Sequence, residues 1–390
     1  MPCSVYDAII VGGGLTGCVI ARRLADEMGY KVLIVEKREH VGGNLYDYVD
    51  DNGIVVQKYG PHVLHTDSDE IYQFLIKYCE WENYDLKCVV YMCSKNTPSP
   101  FNFKTIDDYY GEEESSVIKN EIIKEYGTRD KATIVELLGS DNRIIKEFAD
   151  FLFEHDYSLY TAKQWGVSPW EIDVSVLNRV PILFSYKDSY FSDKYQILPV
   201  GGFTKFIKKL IGHDNIDVTL SSDFTERLKV DTVSKQIFYE DEKLSMPIVF
   251  TGELDRLLKY RFDRLPYRSL NFNTITVNEN IRQPVPIIAY PEDERITRVV
   301  EYKQLPVQDI EGVTTLVEEY PVKYEGDNEP YYPILTSQSI AQYEKYKNAV
   351  AEIPNIYVCG RLGDFKYYNM DQAIKRAFEV FELIKVKSEI

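Results

Sequence analysis

Short, nearly continuous apolar runs alternate along this chain with longer amphipathic ones, which predicts strands interleaved with helices. Residues 5–11 form the first apolar run, the pattern of a strand covered on both faces. Ile20, Ala21, Leu24 and Ala25 then recur at helical spacing, and residues 31–35 read as a second buried strand. Ile71, Phe74, Leu75 and Tyr78 predict a helix over 69–79, followed by a short strand at 89–92 and a turn at 96–100. From 107 to 178 the period is mainly helical, clearest over 117–126 and 144–153. Glu112, Glu113 and Glu114 form a solvated helix start. Residues 193–199 are extended, and a helix opens at Gly202-Phe203 and runs through Leu210. Strands at 216–220 and 246–250 are placed to return to the first sheet. Segments 274–277, 285–290, 297–302 and 314–319 alternate as in an antiparallel sheet. A last buried strand, 356–361, ends in Gly360-Arg361, and a helix from about 370 to 384 closes the chain.

The junction between the first strand and the first helix carries the candidate chemistry. Gly12, Gly14 and Gly17 fit G-x-G-x-x-G, with Leu15 and Thr16 between them. Such glycines allow a tight turn, close approach of a pyrophosphate, and close packing of helix on strand, while the helix start offers N–H groups to phosphate. The second strand ends at Glu36, about 20 residues on, where a carboxylate can bind a ribose hydroxyl. Strand, helix, strand and acid in register predict dinucleotide binding. A second glycine pair, Gly42-Gly43, follows Glu36-Lys37-Arg38 and precedes Asn44. A further stretch of bare backbone so soon after the acid favours an extended FAD over a plain NAD module.

Composition narrows the class. With 390 residues the chain can hold two or three domains, and 44% hydrophobic with 27% charged residues is ordinary for a globular protein. A formal net charge of −17 argues against a nucleic-acid partner. An anionic substrate would need a local cluster of Arg and Tyr set against that field. The 31 tyrosines, against 18 Phe and 3 Trp, supply flat faces that also carry hydroxyls. The six cysteines include no C-x-x-C and do not pair with the five histidines at zinc-site spacing. No metal is expected. No signal peptide or membrane span is visible, so a cytoplasmic protein is expected.

The expected fold is α/β: a discontinuous Rossmann-like FAD-binding domain with a helical insertion domain and an antiparallel β-sheet domain. The FAD-binding domain is read at 1–68, 197–260 and 339–390. The mainly helical insertion is read at 69–180, and the antiparallel sheet domain at 181–196 and 261–338. Short strands near 86–103 are candidates to join that sheet.

Blocks along nearly the whole chain resemble a known family. They include Lys58-Tyr59-Gly60-Pro61-His62-Val63-Leu64-His65-Thr66, Tyr160-Thr161-Ala162-Lys163-Gln164-Trp165-Gly166, Tyr190-Phe191-Ser192-Asp193, Tyr267-Arg268-Ser269-Leu270 and Glu329-Pro330-Tyr331-Tyr332-Pro333. In order and together they resemble the bacterial-type UDP-galactopyranose mutases. The glycine loop is shared by many flavoproteins, whereas the K-Q-W-G, Y-F-S-D and E-P-Y-Y-P blocks are far more specific. The resemblance implies interconversion of the six- and five-membered ring forms of UDP-galactose on the route to galactofuranose-bearing surface glycans. It also implies FAD in its reduced form, with flavin N5 attacking the anomeric carbon as UDP leaves, and no net redox change. An external flavin reductant and a homodimer come with it.

The same resemblance implies roles for named residues. Arg179 and Arg298 would bind and stabilise the leaving diphosphate, and Tyr190, Tyr332 and Tyr367 would donate hydroxyls to it. Tyr160, Thr161 and Trp165 would hold the uridine end, Tyr160 by stacking on the base, and His65 would be a candidate base beside the cofactor. FAD contacts are implied at Gly12, Gly14, Leu15, Thr16, Gly17, Glu36, Lys37, Gly43, Asn44, His62, Val63, Val218, Arg361, Asn369 and Met370. Read alone, each arginine is a surface charge or a structural ion-pair partner. Two departures stand out: Asn369 where bacterial members carry aspartate, and Leu86 where they carry asparagine. No arginine interrupts 61–66, which favours galactose over N-acetylgalactosamine. The competing classes are a UDP-N-acetylgalactosamine mutase, an amine-oxidase-like FAD oxidoreductase, and a non-enzymatic nucleotide-binding module.

Overall fold

In the first apolar run, Ala8 and Ile10 face one way and Ile9 and Val11 the other, and all four are buried. A strand covered on both faces needs strands on both sides and layers above and below, and the chain supplies them. The computed structural model describes residues 3–166, 168, 170–171, 177–178 and 180–388. Ala8–Val11 lies at the centre of a five-stranded parallel sheet in the order Ile216–Thr219, Val32–Val35, Ala8–Val11, Ile248–Phe250, Ile356–Val358. Ile9 pairs with Leu33 on one side and Ile248 on the other. The Leu15–Met28 and Met370–Ser388 helices cover one face. The Ser337–Ala351 helix and a small three-stranded sheet, Leu228–Asp231, Gln236–Tyr239 and Glu242–Leu244, cover the other. The first strand starts at Ala8 rather than at residue 5. Cys3–Val5 is a 3-10 turn, because the neighbouring strand offers a ladder only from Val32 onward.

A seven-stranded sheet forms the second layer system. Its order is Tyr332–Pro333, Tyr267–Val277, Thr314–Lys323, Arg298–Glu301, Ile287–Ala289, Cys88–Met92, Lys95–Ser99. All neighbours are antiparallel except Ile287–Ala289 with Cys88–Met92. The turn expected at 96–100 is instead the edge strand Lys95–Ser99. The reversal lies at Cys93-Ser94, both at positive φ, as a two-residue hairpin turn requires. Asn96, Pro98 and Pro100 imitate turn chemistry, but an edge strand tolerates proline.

Residues 181–196, expected to open the antiparallel sheet domain, do not join the seven-stranded sheet. Ile182–Leu183 pairs with Lys131–Ala132 in the helical layer, and Tyr195–Pro199 pairs with Leu64–Thr66 and Trp81–Asn83. Strands this short show their alternation in sequence but not their partner. The helical layer packs around Ile122, Leu137, Phe148 and Leu152, against Val90 and Met92 on the strand next to the edge of the large sheet. Phe148 is 1% exposed, so Phe148→Ala should cost about 3–5 kcal/mol and lower the thermal midpoint. An unchanged midpoint would mean that this core does not support the fold.

Candidate functional site

The glycine loop builds the first cleft. The Leu15–Met28 helix begins after Gly14, leaving its first N–H groups without helical partners. A Cβ on Gly17 would collide with the Gly12 carbonyl oxygen, so the close approach of helix to loop requires glycine there. The second glycine pair lies across the first loop: Gly42 N–H donates to the Gly13 carbonyl at 2.8 Å. A Cβ on Gly43 would come within 2.9 Å of Gly14 Cα. Glu36 is buried and accepts from the backbone N–H of Gly13 at 2.7 Å and of Arg38 at 2.8 Å. A carboxylate so anchored keeps further lone pairs for a ribose hydroxyl. Bare backbone, a helix start and an anchored acid fit a dinucleotide.

The cleft encloses about 1220 Å³ including its mouth. Gly12, Gly14, Leu15, Thr16, Gly17, Glu36, Lys37, Gly43, Asn44, His62, Arg361, Asn369 and Met370 all line it. Val63 lines the second cleft instead, and Val218 lines neither; it sits on the outer strand of the parallel sheet. Sequence reasoning missed Ser222, Asp223, Phe224 and Thr225, which also line the first cleft. Their signal was positional, since they follow the carboxyl end of a parallel strand, where open α/β sheets bind ligands. It also missed Arg38, which pairs with Glu329 at 2.7 Å.

The second cleft, about 1740 Å³ with its mouth, lies between the Ser158–Trp165 helix, the large sheet and the Leu64–Thr66 strand. Tyr160, Thr161, Trp165, Tyr190, Arg298, Tyr332, Tyr367 and His65 all line it, as does Leu86. Arg179 lies outside the described residues. Tyr332 and Tyr367 stack at 5.4 Å, Trp165 tilts against Tyr332 at 5.5 Å, and Arg361 lies 4.7 Å from the Tyr367 ring centroid. Arg298 Nε is 2.7 Å from Glu319 Oε2. Burial works against the guanidinium charge, but Glu319 outweighs it and holds Arg298 above its ordinary value. Burial, with Tyr367 beside it, pushes the Tyr332 phenol up to about 12. Asp156, another lining residue the sequence did not single out, is pushed by burial up to about 7, with Lys163 opposing. His65 Nδ1 lies 3.0 Å from Asp193 Oδ2, and its ring stacks on Phe191 at 3.8 Å. A carboxylate only accepts, so Nδ1 carries hydrogen and Nε2 is left as the acceptor in the neutral ring.

The two clefts share a wall: His62, Arg361, Tyr368, Asn369 and Met370 face both. His62 Nδ1 donates to the Gly60 carbonyl at 2.8 Å. Burial, reinforced by Arg361, pushes its imidazole from 6.5 down to about 3. Between those values the unfolded chain binds a proton that the folded chain refuses, so stability rises with pH across the window. Acidification there should weaken the fold by up to about 1.4 kcal/mol per pH unit. His62→Asn should flatten the wild-type slope of thermal midpoint against pH in that range, and identical slopes would refute the buried neutral ring.

One lysine fixes the helix that carries Tyr160, Thr161 and Trp165. Lys163 Nζ lies 2.5, 3.1, 2.5 and 2.8 Å from the carbonyl oxygens of Tyr290, Pro291, Asp293 and Ile296, which share its three N–H donors. Arg268 then caps the last turn through the carbonyls of Lys163 and Gln164. Lys163→Met strands those four acceptors and should destabilise the protein by about 1.5–3 kcal/mol. A thermal midpoint equal to wild type would show the anchor to be dispensable.

Comparison with known proteins agrees with this architecture. The family model described as UDP-galactopyranose mutase matches residues 156–367, and an NAD(P)-binding Rossmann-like domain matches residues 10–78. A UDP-galactopyranose mutase of Mycoplasma pneumoniae is 33% identical over 95% of this chain and 94% of its own. A dTDP-fucopyranose mutase of Escherichia coli is 32% identical over 96% of this chain and 97% of its own. The crystal structure of a reduced UDP-galactopyranose mutase superposes with a TM-score of 0.74 at 19% identity, covering 98% of this chain and 94% of that one, and so shares the fold. With relatives a third identical from end to end and the family's own model matching residues 156–367, the chain belongs to the UDP-galactopyranose mutase family.

Proposed function

We propose that the chain is an FAD-dependent isomerase that interconverts the pyranose and furanose forms of UDP-galactose. The wall shared by the two clefts carries this reading, because a dinucleotide in the first borders a nucleotide sugar in the second at His62, Arg361 and Asn369. Reduced FAD, when bound, supplies the nucleophile for the anomeric carbon, so turnover needs no net redox change. Around the sugar, this chain's residues bind, orient and stabilise charge. Arg298 remains charged beside Glu319 and offers that charge to the departing diphosphate, with Arg179 assigned the same task by family resemblance. Tyr332 keeps its proton at neutral pH, so its hydroxyl stays a donor, and Tyr190 and Tyr367 are assigned as further donors. Tyr160, Thr161 and Trp165 hold the uridine end, and the acceptor Nε2 of His65 is the candidate to take a sugar hydroxyl proton.

The dTDP-fucopyranose mutase matches this chain nearly as well, which gives a second sugar specific support. The test mixes purified protein with UDP-galactofuranose, with and without dithionite, and follows UDP-galactopyranose by chromatography. Conversion only under reduction is expected. No conversion of this sugar, with turnover of the dTDP-fucose or N-acetylgalactosamine nucleotide, would reassign the substrate. No turnover of any of them would overturn the mutase reading.

A further inference from the structure

Away from both clefts, three side chains of different chemistry converge at the rim between the large sheet and the helical layer. Cys93 occupies the tight turn between the Cys88–Met92 and Lys95–Ser99 strands, His155 the π-helical turn Phe153–Tyr157, and Glu292 the loop after Ile287–Ala289. Cys93 Sγ is 3.4 Å from His155 Nδ1 and 3.7 Å from Glu292 Oε1, and His155 Nδ1 is 2.9 Å from the same oxygen. The second Glu292 oxygen accepts the Cys93 backbone N–H at 2.9 Å, which fixes the carboxylate over the turn.

We propose that Cys93, His155 and Glu292 form a binding site for a zinc-class divalent cation. The donor set suits a borderline-soft ion that takes thiolate, imidazole and carboxylate together. A tetrahedral zinc with bonds of about 2.0–2.3 Å places its ligands roughly 3.3–3.6 Å apart. Two of the three separations already lie near that range, and the His155–Glu292 edge needs only to open. Binding releases the Cys93 thiol proton to solvent and moves the imidazole hydrogen to Nε2, freeing Nδ1 as a ligand. Water would complete the coordination, since Cys93 is exposed. The site ties three segments together immediately before Asp156 and Tyr157, at one and two residues from His155, and both line the second cleft. Sequence spacing could not reveal it, because the three ligands come from three separate segments.

Cys93 is the exposed cysteine, and the other five are buried, so a thiol reagent reads this site directly. The flavin-loaded protein is treated with dithionitrobenzoate with and without zinc chloride. Cys93 should react alone in native protein, and zinc should slow its modification by about tenfold or more. His155→Ala and Glu292→Gln should each remove that protection, and zinc should raise the thermal midpoint of wild type but not of Cys93→Ser. Unprotected Cys93 in wild type, or undiminished protection in both variants, would overturn the proposal.

Discussion

Arg298→Ala should lower turnover on the order of a hundredfold or more, the loss typical of removing a donor aimed at developing charge. The residue faces the second cleft together with Tyr160 and Tyr332, and Glu319 keeps it charged. If it acts mainly on the departing diphosphate, the loss falls on kcat, while KM changes less. The alternative is that Arg298 only neutralises Glu319, which is 1% exposed. Then the alanine variant would lose only what an unpaired buried carboxylate costs, and adding Glu319→Gln to it would restore turnover. Arg298→Lys separates the two further: a lysine can pair with Glu319 but cannot reproduce a planar fork on a diphosphate. Near-wild-type turnover in Arg298→Lys would reduce the residue to an ion-pair partner.

Gly43→Ala should strip the protein of flavin. The added carbon meets Gly14 backbone at 2.9 Å, and Gly43 sits at φ +56°, so strain and collision act together where the two glycine loops touch. Gly29→Ala is the matched control. Its φ of +67° is equally left-handed, but nothing lies within 4 Å of the new carbon. It should cost about 1 kcal/mol of stability through backbone strain and leave the flavin content unchanged. The visible absorbance of the purified variants, per mole of protein, decides the matter. Equal flavin in Gly43→Ala and wild type would mean that the close approach of the loops is not needed for binding.

The first cleft was legible because its parts are local. Gly12, Gly14, Gly17 and Glu36 fall within one strand–helix–strand unit, where backbone period and chain order fix their relative positions. The Tyr160–Trp165 block was legible for a different reason: its residues share one short helix, and the resemblance supplied the meaning. Val218 marks a limit, because a residue on a sheet's outer strand can neighbour a cleft in the chain's order without lining it. The turn expected at 96–100 marks another, since proline and asparagine carry the same signal on an edge strand.

The sequence by itself determined the dinucleotide loop, the α/β class and the family, all of which rest on contiguous residues and their period. Only the tertiary structure decided which strands pair: residues 181–196 went to two small sheets, and Cys88–Ser99 to the large one. It alone brought His62 beside Arg361 and Met370, set Glu319 against Arg298, and gathered Cys93, His155 and Glu292. Local backbone geometry is written in the order of residues along the chain. The meeting of distant segments depends instead on register and packing between surfaces, which short alternating strands leave open until the whole core assembles.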